Sequence, residues 1–465
     1  MQTKKIGFWA LVFMNVSALY GIRWIAKSTA ANFGLGLGAI PMWVLFSFIF
    51  FVPAALICAE LAATYPTDGG LYEWVKEAYG KKTGFMVSWL NWSAKIFWYS
   101  SFLTFMMVNI TYAIGKPALA DNKLLVTAAS IIIFWILSFL SCKGMIFGKV
   151  FTNTGALGST IPTVILIVMA FITVAVLKKQ PSASVYSVAN MIPKLNTDSM
   201  VAISAIMFGM AGAETTANFI SEIDEPHKNF PRAIVAAAAI VGLLYVLGSI
   251  AITSILPIDK ITASKGVLDA LNAAGLSLGL GTWLTQILAF GITVSILGAI
   301  ILYIASPIKM LFGSVEKGIF PQTITAVNAH NIPQNAVLLQ AALVTVLMVA
   351  TSVMPSVDAI YNVLVTMTAL TSLFPYILLF GAYIKLRKTR PNEHRPYQIA
   401  KNTGTAVIIA YMVLTVTVFG IVMSAAPVMP TLMENIIYEC EMIGGAVVVI
   451  FAGLLLWQRY EKNRG

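Results

Sequence analysis

The sequence predicts an all-α membrane protein that crosses the bilayer about twelve times. Of its 465 residues, 58% are hydrophobic and only 11% are charged, whereas about 25% of the residues in an average soluble domain are charged. Apolar runs of about 20 residues, the length that spans a bilayer as a helix, recur along the chain. We therefore expect one integral membrane domain covering residues 1-465.

The predicted spans follow one another with short connections. The N-terminal segment runs straight into the first span without a small-residue cleavage site, so we expect no cleavable signal peptide. In chain order we place the spans at residues 6-34, 38-64, 84-114, 123-142, 152-177, 200-219, 232-256, 284-313, 334-353, 359-383, 402-424 and 441-460.

The distribution of basic residues predicts the orientation of these spans. Twenty lysines and arginines fall in the segments on the side of the N-terminus, and seven fall in the segments on the other side. Because basic loops stay in the cytoplasm, we expect a multi-pass protein of the cell membrane with both termini in the cytoplasm. The net charge of +11 then reflects topology and attraction to anionic membrane lipid, and we expect no nucleic-acid partner.

The first span contains an interruption that a purely structural span would avoid. The stretch Asn15-Val-Ser-Ala-Leu-Tyr-Gly-Ile-Arg-Trp24 places a glycine, small polar residues and an arginine near its middle. Each of these weakens the helix or is unfavourable in lipid, so we interpret the stretch as a functional break. The candidate substrate-binding residues here are Ser17, Ala18, Tyr20, Gly21, Ile22 and Arg23.

A second interruption follows about 190 residues later, in the sixth predicted span. The stretch Phe208-Gly-Met-Ala-Gly-Ala-Glu-Thr-Thr216 combines two glycines with a carboxylate. Paired interruptions at corresponding places in two halves of a chain indicate the binding site of a transporter. The candidate substrate-binding residues here are Phe208, Gly209, Ala211, Gly212 and Glu214.

Five charged residues fall within predicted spans, where they must face a cavity or one another. For Lys27, in the outer part of the first span, we expect the side chain to extend to the membrane interface. Glu60 lies near the cytoplasmic end of the second span and either pairs locally or has a functional role. Glu214 could carry a proton or bind an ammonium group. The five residues are Arg23, Lys27, Glu60, Lys95 and Glu214.

The third span carries aromatic residues near its middle. Lys95 and Trp98 lie about 11 to 15 residues into the span, which corresponds to mid-bilayer at 1.5 Å per residue. An aromatic run can also form an interfacial belt. We retain both interpretations and include Lys95 and Trp98 among the candidate binding residues.

The polar segments between spans predict neither a metal site nor a cofactor. Asp224, Glu225 and His227 adjoin basic residues without a ligand-spaced partner, so we expect a salt-bridged cytoplasmic clamp there. The basic segment at residues 385-396 is interpreted as an anchor for the cytoplasmic face. A phosphate-binding Gly-x4-Gly-Lys-Ser/Thr motif is missing from the sequence, so direct drive by ATP is not expected.

Several motifs resemble those of the amino acid-polyamine-organocation transporters. The most specific is Glu222-Ile-Asp-Glu-Pro-His-Lys-Asn-Phe-Pro-Arg-Ala-Ile234, which is similar to the acidic-Pro-basic-Phe-Pro-Arg run after the sixth span of that family. Ala59-Glu60 and Gly318-Ile-Phe-Pro321 also fit. Within the family, the chain resembles bacterial amino-acid/amine antiporters such as the glutamate/GABA antiporter.

This resemblance implies an inverted repeat of five plus five helices. Residues 6-177 would pair with residues 200-383, the two broken helices would meet at the centre, and residues 402-460 would add further helices. It also implies that Tyr303, four residues before Pro307, faces the substrate, although it could instead pack in the core or against lipid. Many family members have a Gly-Ser-Gly break in the first span, whereas this chain has Gly21 alone, and Arg23 could take over part of carboxylate binding.

The function predicted from these features is secondary transport of an amino acid, as an antiporter that exchanges it with a related amino acid or its decarboxylation product. The alternatives are an agmatine/putrescine-type amine exchanger and a proton-coupled permease. A channel would need a repeated filter, and an enzyme would need a nucleophile–base set; neither pattern is found. Arg23 favours a substrate with a carboxylate, unless Glu214 or Glu60 neutralises it and leaves an amine free to bind. We expect a monomer or a homodimer.

Overall fold

The computed structural model describes residues 5–66, 70–143, 148–178, 181–194, 196–212, 214, 223–330, 332–426 and 432–464. Their regular structure is helical, apart from one isolated β-bridge between Ile6 and Ile223, so the all-α prediction is confirmed. The principal helices are α1 (Phe8–Leu19), α2 (Arg23–Thr29), α3 (Ala39–Phe46), α4 (Val52–Thr64), α5 (Leu71–Tyr79), α6 (Lys81–Ala113), α7 (Lys123–Cys142), α8 (Gly148–Ala170), α9 (Thr197–Gly209), α10 (Pro226–Ile255), α11 (Gly266–Ser277), α12 (Trp283–Ser314), α13 (Gln334–Thr351), α14 (Val357–Thr389), α15 (Thr403–Ser424), α16 (Leu432–Glu439) and α17 (Gly445–Arg464).

The described helices have the lengths and composition of a multi-span membrane protein. Nine of them are long and apolar enough to cross a membrane, and the bent pair α1 and α2 forms a tenth candidate. The other two predicted spans, 84-114 and 200-219, correspond to α6 and to α9, and most of the predicted continuation of α9 lies outside the described residues. With 33 residues, α6 is about 50 Å long, which suffices to cross a bilayer.

Both predicted interruptions coincide with helix ends. The axes of α1 and α2 differ by 47°, and between them Tyr20 adopts an extended backbone. The helix α9 ends at Gly209, and Gly212 has a φ of +125°. Residues with a Cβ rarely adopt that conformation, so glycine suits this position.

Two other elements differ from the predictions. The helix α10 begins at Pro226, whereas the sequence analysis assigned residues up to 231 to a polar loop; proline lacks the N–H that the first helical turn leaves unpaired, so it favours a helix start. The helix α11, between the seventh and eighth spans, was not predicted, because its 12 residues form no apolar run of membrane-spanning length.

A buried ion cluster ties the second span to the end of the tenth. The Oε1 atom of Glu60 lies 2.7 Å from Nε of Arg387 and 3.3 Å from Nε of Arg395. The Tyr383 hydroxyl and the Ile399 N–H each donate to its other oxygen at 2.9 Å. Glu60 therefore does more than cap its own helix. We call this end of the helix bundle, where α4 and α14 end, the basic end.

The opposite end contains a polar network around Lys27. Lys27 is fully buried, and its Nζ donates to Oδ1 of Asn362 at 2.5 Å. Asn362 in turn donates to Asp358 at 2.9 Å, and Asp358 accepts hydrogen bonds from both the N–H and the hydroxyl of Ser264. The prediction that Lys27 reaches the membrane interface is wrong, because the break turns α2 into the bundle, where all its residues are buried.

Candidate functional site

A cavity of about 360 Å³ lies between the two helix breaks, within the size range of small-molecule sites in proteins. Its walls come from helices in both halves of the chain. All fourteen residues that the sequence analysis selected line this one cavity, and their role in substrate binding stays a prediction: Ser17, Ala18, Tyr20, Gly21, Ile22, Arg23, Lys95, Trp98, Phe208, Gly209, Ala211, Gly212, Glu214 and Tyr303.

The cavity extends from the breaks towards the basic end. Its lining includes Leu71, the first residue of α5, and Leu379, one helical turn before Tyr383 of the ion cluster. None of the described residues of the Lys27 network contributes to the lining. The cavity therefore does not reach the Lys27 network at the opposite end.

A buried tyrosine joins the two breaks. The N–H of Gly21, freed by the interruption of the first span, donates to the hydroxyl of Tyr245 at 3.1 Å. That hydroxyl donates to the carbonyl of Gly209 at 3.1 Å, and the carbonyl of Leu19 lies 3.4 Å away. Backbone groups that a broken helix exposes must be paired inside a membrane. Tyr245 pairs groups from both breaks with a single side chain.

A second tyrosine binds the other break and the carboxylate beside it. The N–H of Gly212 donates to the hydroxyl of Tyr376 at 2.7 Å, and this hydroxyl donates to Oε2 of Glu214. Gly212, Tyr376 and Glu214 all line the cavity. The Tyr376 hydroxyl therefore links the Glu214 carboxylate to the backbone of the second break.

Aromatic rings enclose the cavity between the breaks. The Trp24 ring packs edge-on against Phe208 at 5.4 Å between centroids, and the space above Gly21 and above Gly209 is filled by this same indole. On the other side, Trp98 packs edge-on against Tyr303 at 5.2 Å. A Cβ at Gly209 would lie 3.1 Å from the indole, so glycine permits this close approach.

Arg23 is a buried cation without a carboxylate partner among the described residues. Its side chain is 4% exposed. The guanidinium carbon lies 4.6 Å from the Trp24 ring and 4.4 Å from the Phe102 ring, and NH1 donates to the Ser101 hydroxyl at 3.4 Å. Cation–π contacts and one long hydrogen bond do not neutralise its charge. Arg23 is therefore suited to bind an anionic group.

Lys95 adds a second positive charge to the cavity wall. Its Nζ lies 5.2 Å from the centre of the Tyr303 ring and 5.9 Å from that of Trp98. The described lining residues thus include two cations, Arg23 and Lys95, and one carboxylate, Glu214. Before any ligand binds, the formal charge of this lining favours an anion.

The side chains that hold the breaks in place were not predicted from the sequence. Tyr245 and Tyr376 lie in long apolar helices far along the chain from the groups that they bind, and a single tyrosine in such a helix gives no distinguishing pattern. Phe102 and Ser101, which contact Arg23, lie one turn beyond Trp98. Helical periodicity from Trp98 could have suggested them, because residues three and four apart share a face.

The described residues contain no group of three or more His, Cys, Asp and Glu side chains that could hold a metal ion. Asp224 and Glu225 are exposed, and Glu225 forms a salt bridge with Lys228 at 3.0 Å. This ion pair lies within the predicted clamp, whereas the side chain of His227 lies outside the described part of the structure. Glu222 lies outside the described residues.

Comparisons with known proteins agree over nearly the whole chain. A family model described as an amino acid permease matches residues 6–449. An uncharacterized transporter of Legionella pneumophila is 29% identical, with 99% of this chain and 98% of that protein aligned. From Lactococcus lactis, a probable agmatine/putrescine antiporter is 22% identical, with 96% and 94% aligned, and a glutamate/gamma-aminobutyrate antiporter is 24% identical, with 100% and 92% aligned.

Proposed function

This chain belongs to the amino acid permease family, and we propose that it is a secondary transporter that carries an amino acid with a free carboxylate across the cell membrane. Transport proceeds by alternating access, in exchange for a related amino acid or its decarboxylation product. In this proposal, both termini and the basic end face the cytoplasm, in accordance with the positive-inside rule.

The observation that supports a carboxylate substrate is the environment of Arg23. The acids that could have neutralised it from within a span are engaged elsewhere: Glu214 binds Tyr376, and Glu60 binds Arg387 and Arg395. A buried unpaired charge is unfavourable, so an anion from the substrate would stabilise the site. At an effective dielectric constant near 20, two opposite charges 4 Å apart attract by about 4 kcal/mol.

Glu214 provides a place for the ammonium group of the same substrate. It is the one carboxylate among the described residues that line the cavity. An α-amino acid carries both a carboxylate and an ammonium group, so it complements Arg23 and Glu214 together. The aromatic rings of Trp24, Trp98 and Tyr303 would then cover its side chain.

The difference between the two ends of the bundle supports an inward-facing state, in which the site opens towards the cytoplasm. The cavity extends towards the basic end, whereas the Lys27 network joins α2, α14 and the loop before α11 at the other end. For the site to open outwards, α2 has to move and the contact between Lys27 and Asn362 has to break. In the proposed inverted repeat of residues 6-177 and 200-383, this movement is rocking of one set of helices against the other.

Exchange of agmatine- or putrescine-type amines is the second candidate, and Glu214 is the observation in its favour. A carboxylate that lines the cavity can bind an ammonium group without any help from Arg23. A dication would, however, have to approach the positive charges of Arg23 and Lys95. Proton coupling is a further possibility for the same carboxylate, since its contact with Tyr376 links its charge to the second break.

Purified protein in proteoliposomes tests the proposed function. We expect uptake of a labelled amino acid to be several-fold faster when the vesicles contain unlabelled amino acid or its decarboxylated amine than when they are empty. Uptake that is equal in empty and loaded vesicles, and that follows an imposed pH gradient, would instead identify a proton-coupled permease. If none of the amino acids or amines is taken up, the result contradicts secondary transport of this class.

We expect the Tyr376 hydroxyl at the second break to be needed for rapid transport. Tyr376→Phe keeps the ring but leaves the N–H of Gly212 and the carboxylate of Glu214 without their shared hydroxyl. Hydrogen bonds to charged groups contribute about 1.5–3 kcal/mol, so we expect the initial transport rate to fall about 10- to 100-fold. Tyr186→Phe is the control, because the Tyr186 hydroxyl also donates a hydrogen bond, to the carbonyl of Ile250 at 2.9 Å, but lies outside the cavity. A Tyr376→Phe rate equal to that of this control would show that the hydroxyl has no role in transport.

A further inference from the structure

Apart from the cavity between the breaks, a groove lies at the basic end, on the outer surface of the bundle. Its volume is about 370 Å³, and it is formed by the end of α5, the last turns of α14 and the first half of α15. It is separate from the cavity between the breaks, with which it shares no lining residue. Its lining includes Tyr79, Gly381, Lys385, Lys388, Tyr411 and Leu414.

Two lysines and two tyrosines form the polar rim of this groove. The Nζ of Lys385 lies 4.6 Å from the centre of the Tyr79 ring. The Nζ of Lys388 lies 5.1 Å from the centre of the Tyr411 ring and donates to its hydroxyl at 3.2 Å. The rings thus hold both ammonium groups at the mouth of the groove, where both lysines are exposed.

The charges of these two lysines are not compensated within the described part of the chain. Neighbouring basic residues have acidic partners: Arg390 pairs with Glu77 at 2.5 Å, and Lys81 pairs with Glu316 at 3.1 Å. Lys385 and Lys388 form no salt bridge with a described residue, although they lie one turn apart on the same face of α14. An anion between them would therefore be attracted by two charges at once.

The floor and the surroundings of the groove are apolar. A Cβ at Gly381 would lie 3.1 Å from the Tyr79 hydroxyl, so the glycine allows Tyr79 to lie across α14. Leu414 continues the lining along α15. On the same helix, Ile408 is 70% exposed and Phe419 is 43% exposed, as expected for a surface that faces lipid chains. The groove thus lies where this surface meets the basic end.

We propose that this groove binds the headgroup of an anionic phospholipid from the leaflet at the basic end. The phosphate lies between Lys385 and Lys388, the tyrosine hydroxyls contact the headgroup, and the acyl chains follow the apolar surface of α15. Basic pockets between membrane helices are suited to such headgroups, and each lysine near an anionic membrane surface strengthens binding about fivefold. We therefore expect a contribution of about 30-fold from the pair.

Native mass spectrometry of the detergent-solubilised, delipidated protein tests this site. Phosphatidylglycerol and phosphatidylcholine with identical acyl chains are titrated separately, and the fraction with one bound lipid is measured. We expect phosphatidylglycerol to bind more tightly than phosphatidylcholine, and Lys385→Gln/Lys388→Gln to weaken its binding about 30-fold. The matched control is Lys82→Gln/Lys317→Gln, which removes two exposed lysines elsewhere and should change binding less than about twofold.

Two further comparisons distinguish a lipid site from a site for soluble anions and from general charge attraction. Inorganic phosphate and soluble glycerophosphoglycerol are added at the same concentrations as the lipid, and we expect neither to compete with it. Competition by either would identify a site for a soluble anion and overturn the proposal. Equal losses of binding in the two double variants would show general charge attraction and would also overturn it. Size-exclusion profiles and thermal midpoints matching the wild type establish that the variants are folded.

Discussion

Replacing Arg23 with alanine will reduce uptake of the transported amino acid by about 100- to 1,000-fold at substrate concentrations well below KM. The reason is the loss of an ionic contact of about 4 kcal/mol at an effective dielectric constant near 20. The measurement is the initial rate of uptake in proteoliposomes that contain equal amounts of wild-type or variant protein. Uptake of a decarboxylated amine without a carboxylate, such as agmatine or putrescine, should fall far less, because that molecule has no anionic group for Arg23 to bind.

Two controls make this result specific. Arg459→Ala removes an exposed arginine from α17 and should leave uptake within about twofold of the wild type, since isolated surface charges have small effects. Arg23→Lys keeps the charge but lacks the planar fork that binds both carboxylate oxygens, so we expect an intermediate rate. Equal, modest losses for the amino acid and its amine in Arg23→Ala would show that Arg23 supports the structure rather than the substrate.

The second large effect is expected at the basic end. Glu60→Ala removes the carboxylate that Arg387 and Arg395 share, and these arginines are only 3% and 8% exposed. Breaking a buried ion pair from one side leaves uncompensated charge and lowers the free energy of unfolding by about 3–5 kcal/mol. Denaturant unfolding in mixed micelles, followed by tryptophan fluorescence, measures this change.

The matched control for Glu60 is a partly exposed pair in the same region. Glu73 and Lys76 lie 3.3 Å apart with side chains 31% and 33% exposed, and such pairs contribute about 0–1 kcal/mol. Glu73→Ala should therefore lower stability much less than Glu60→Ala. Similar losses in the two variants would mean that water screens the Glu60 cluster and that it does not hold the second span to the tenth.

Much of the fold could be predicted because lipid limits what a span may contain. Glycine, small polar residues and Arg23 inside an apolar run are unfavourable unless the helix is broken, and the structure has a break there. Lys27 was misplaced because counting along a straight helix puts it at the interface, whereas the bend buries α2. The helix α11 was missed because hydropathy identifies long apolar runs and not short helices between spans.

The candidate site was predicted in the same way, from residues that are unfavourable in lipid. The breaks, Arg23, Lys95 and Glu214 all line one cavity, and each could be recognised locally in the sequence. The contacts that hold them could not, because they join distant parts of the chain. Tyr245 reaches Gly21 across 224 residues, and Tyr376 reaches Gly212 across 164. Helix packing brings these groups together. An isolated tyrosine in an apolar helix does not indicate which distant backbone group it will contact.

The most direct test of the proposed carboxylate recognition is uptake by the wild-type protein of matched pairs of substrates. Each pair consists of a labelled amino acid and the amine formed from it by decarboxylation. Arginine with agmatine and ornithine with putrescine test the loss of the only carboxylate, and glutamate with GABA tests the loss of the α-carboxylate alone. Proteoliposomes are loaded with the unlabelled form of the same compound, so that exchange is possible in every case. We predict that an amino acid with its α-carboxylate gives the highest initial rate, and that the diamines are carried poorly. Rapid uptake of agmatine or putrescine together with slow uptake of all the amino acids would contradict the role assigned to Arg23.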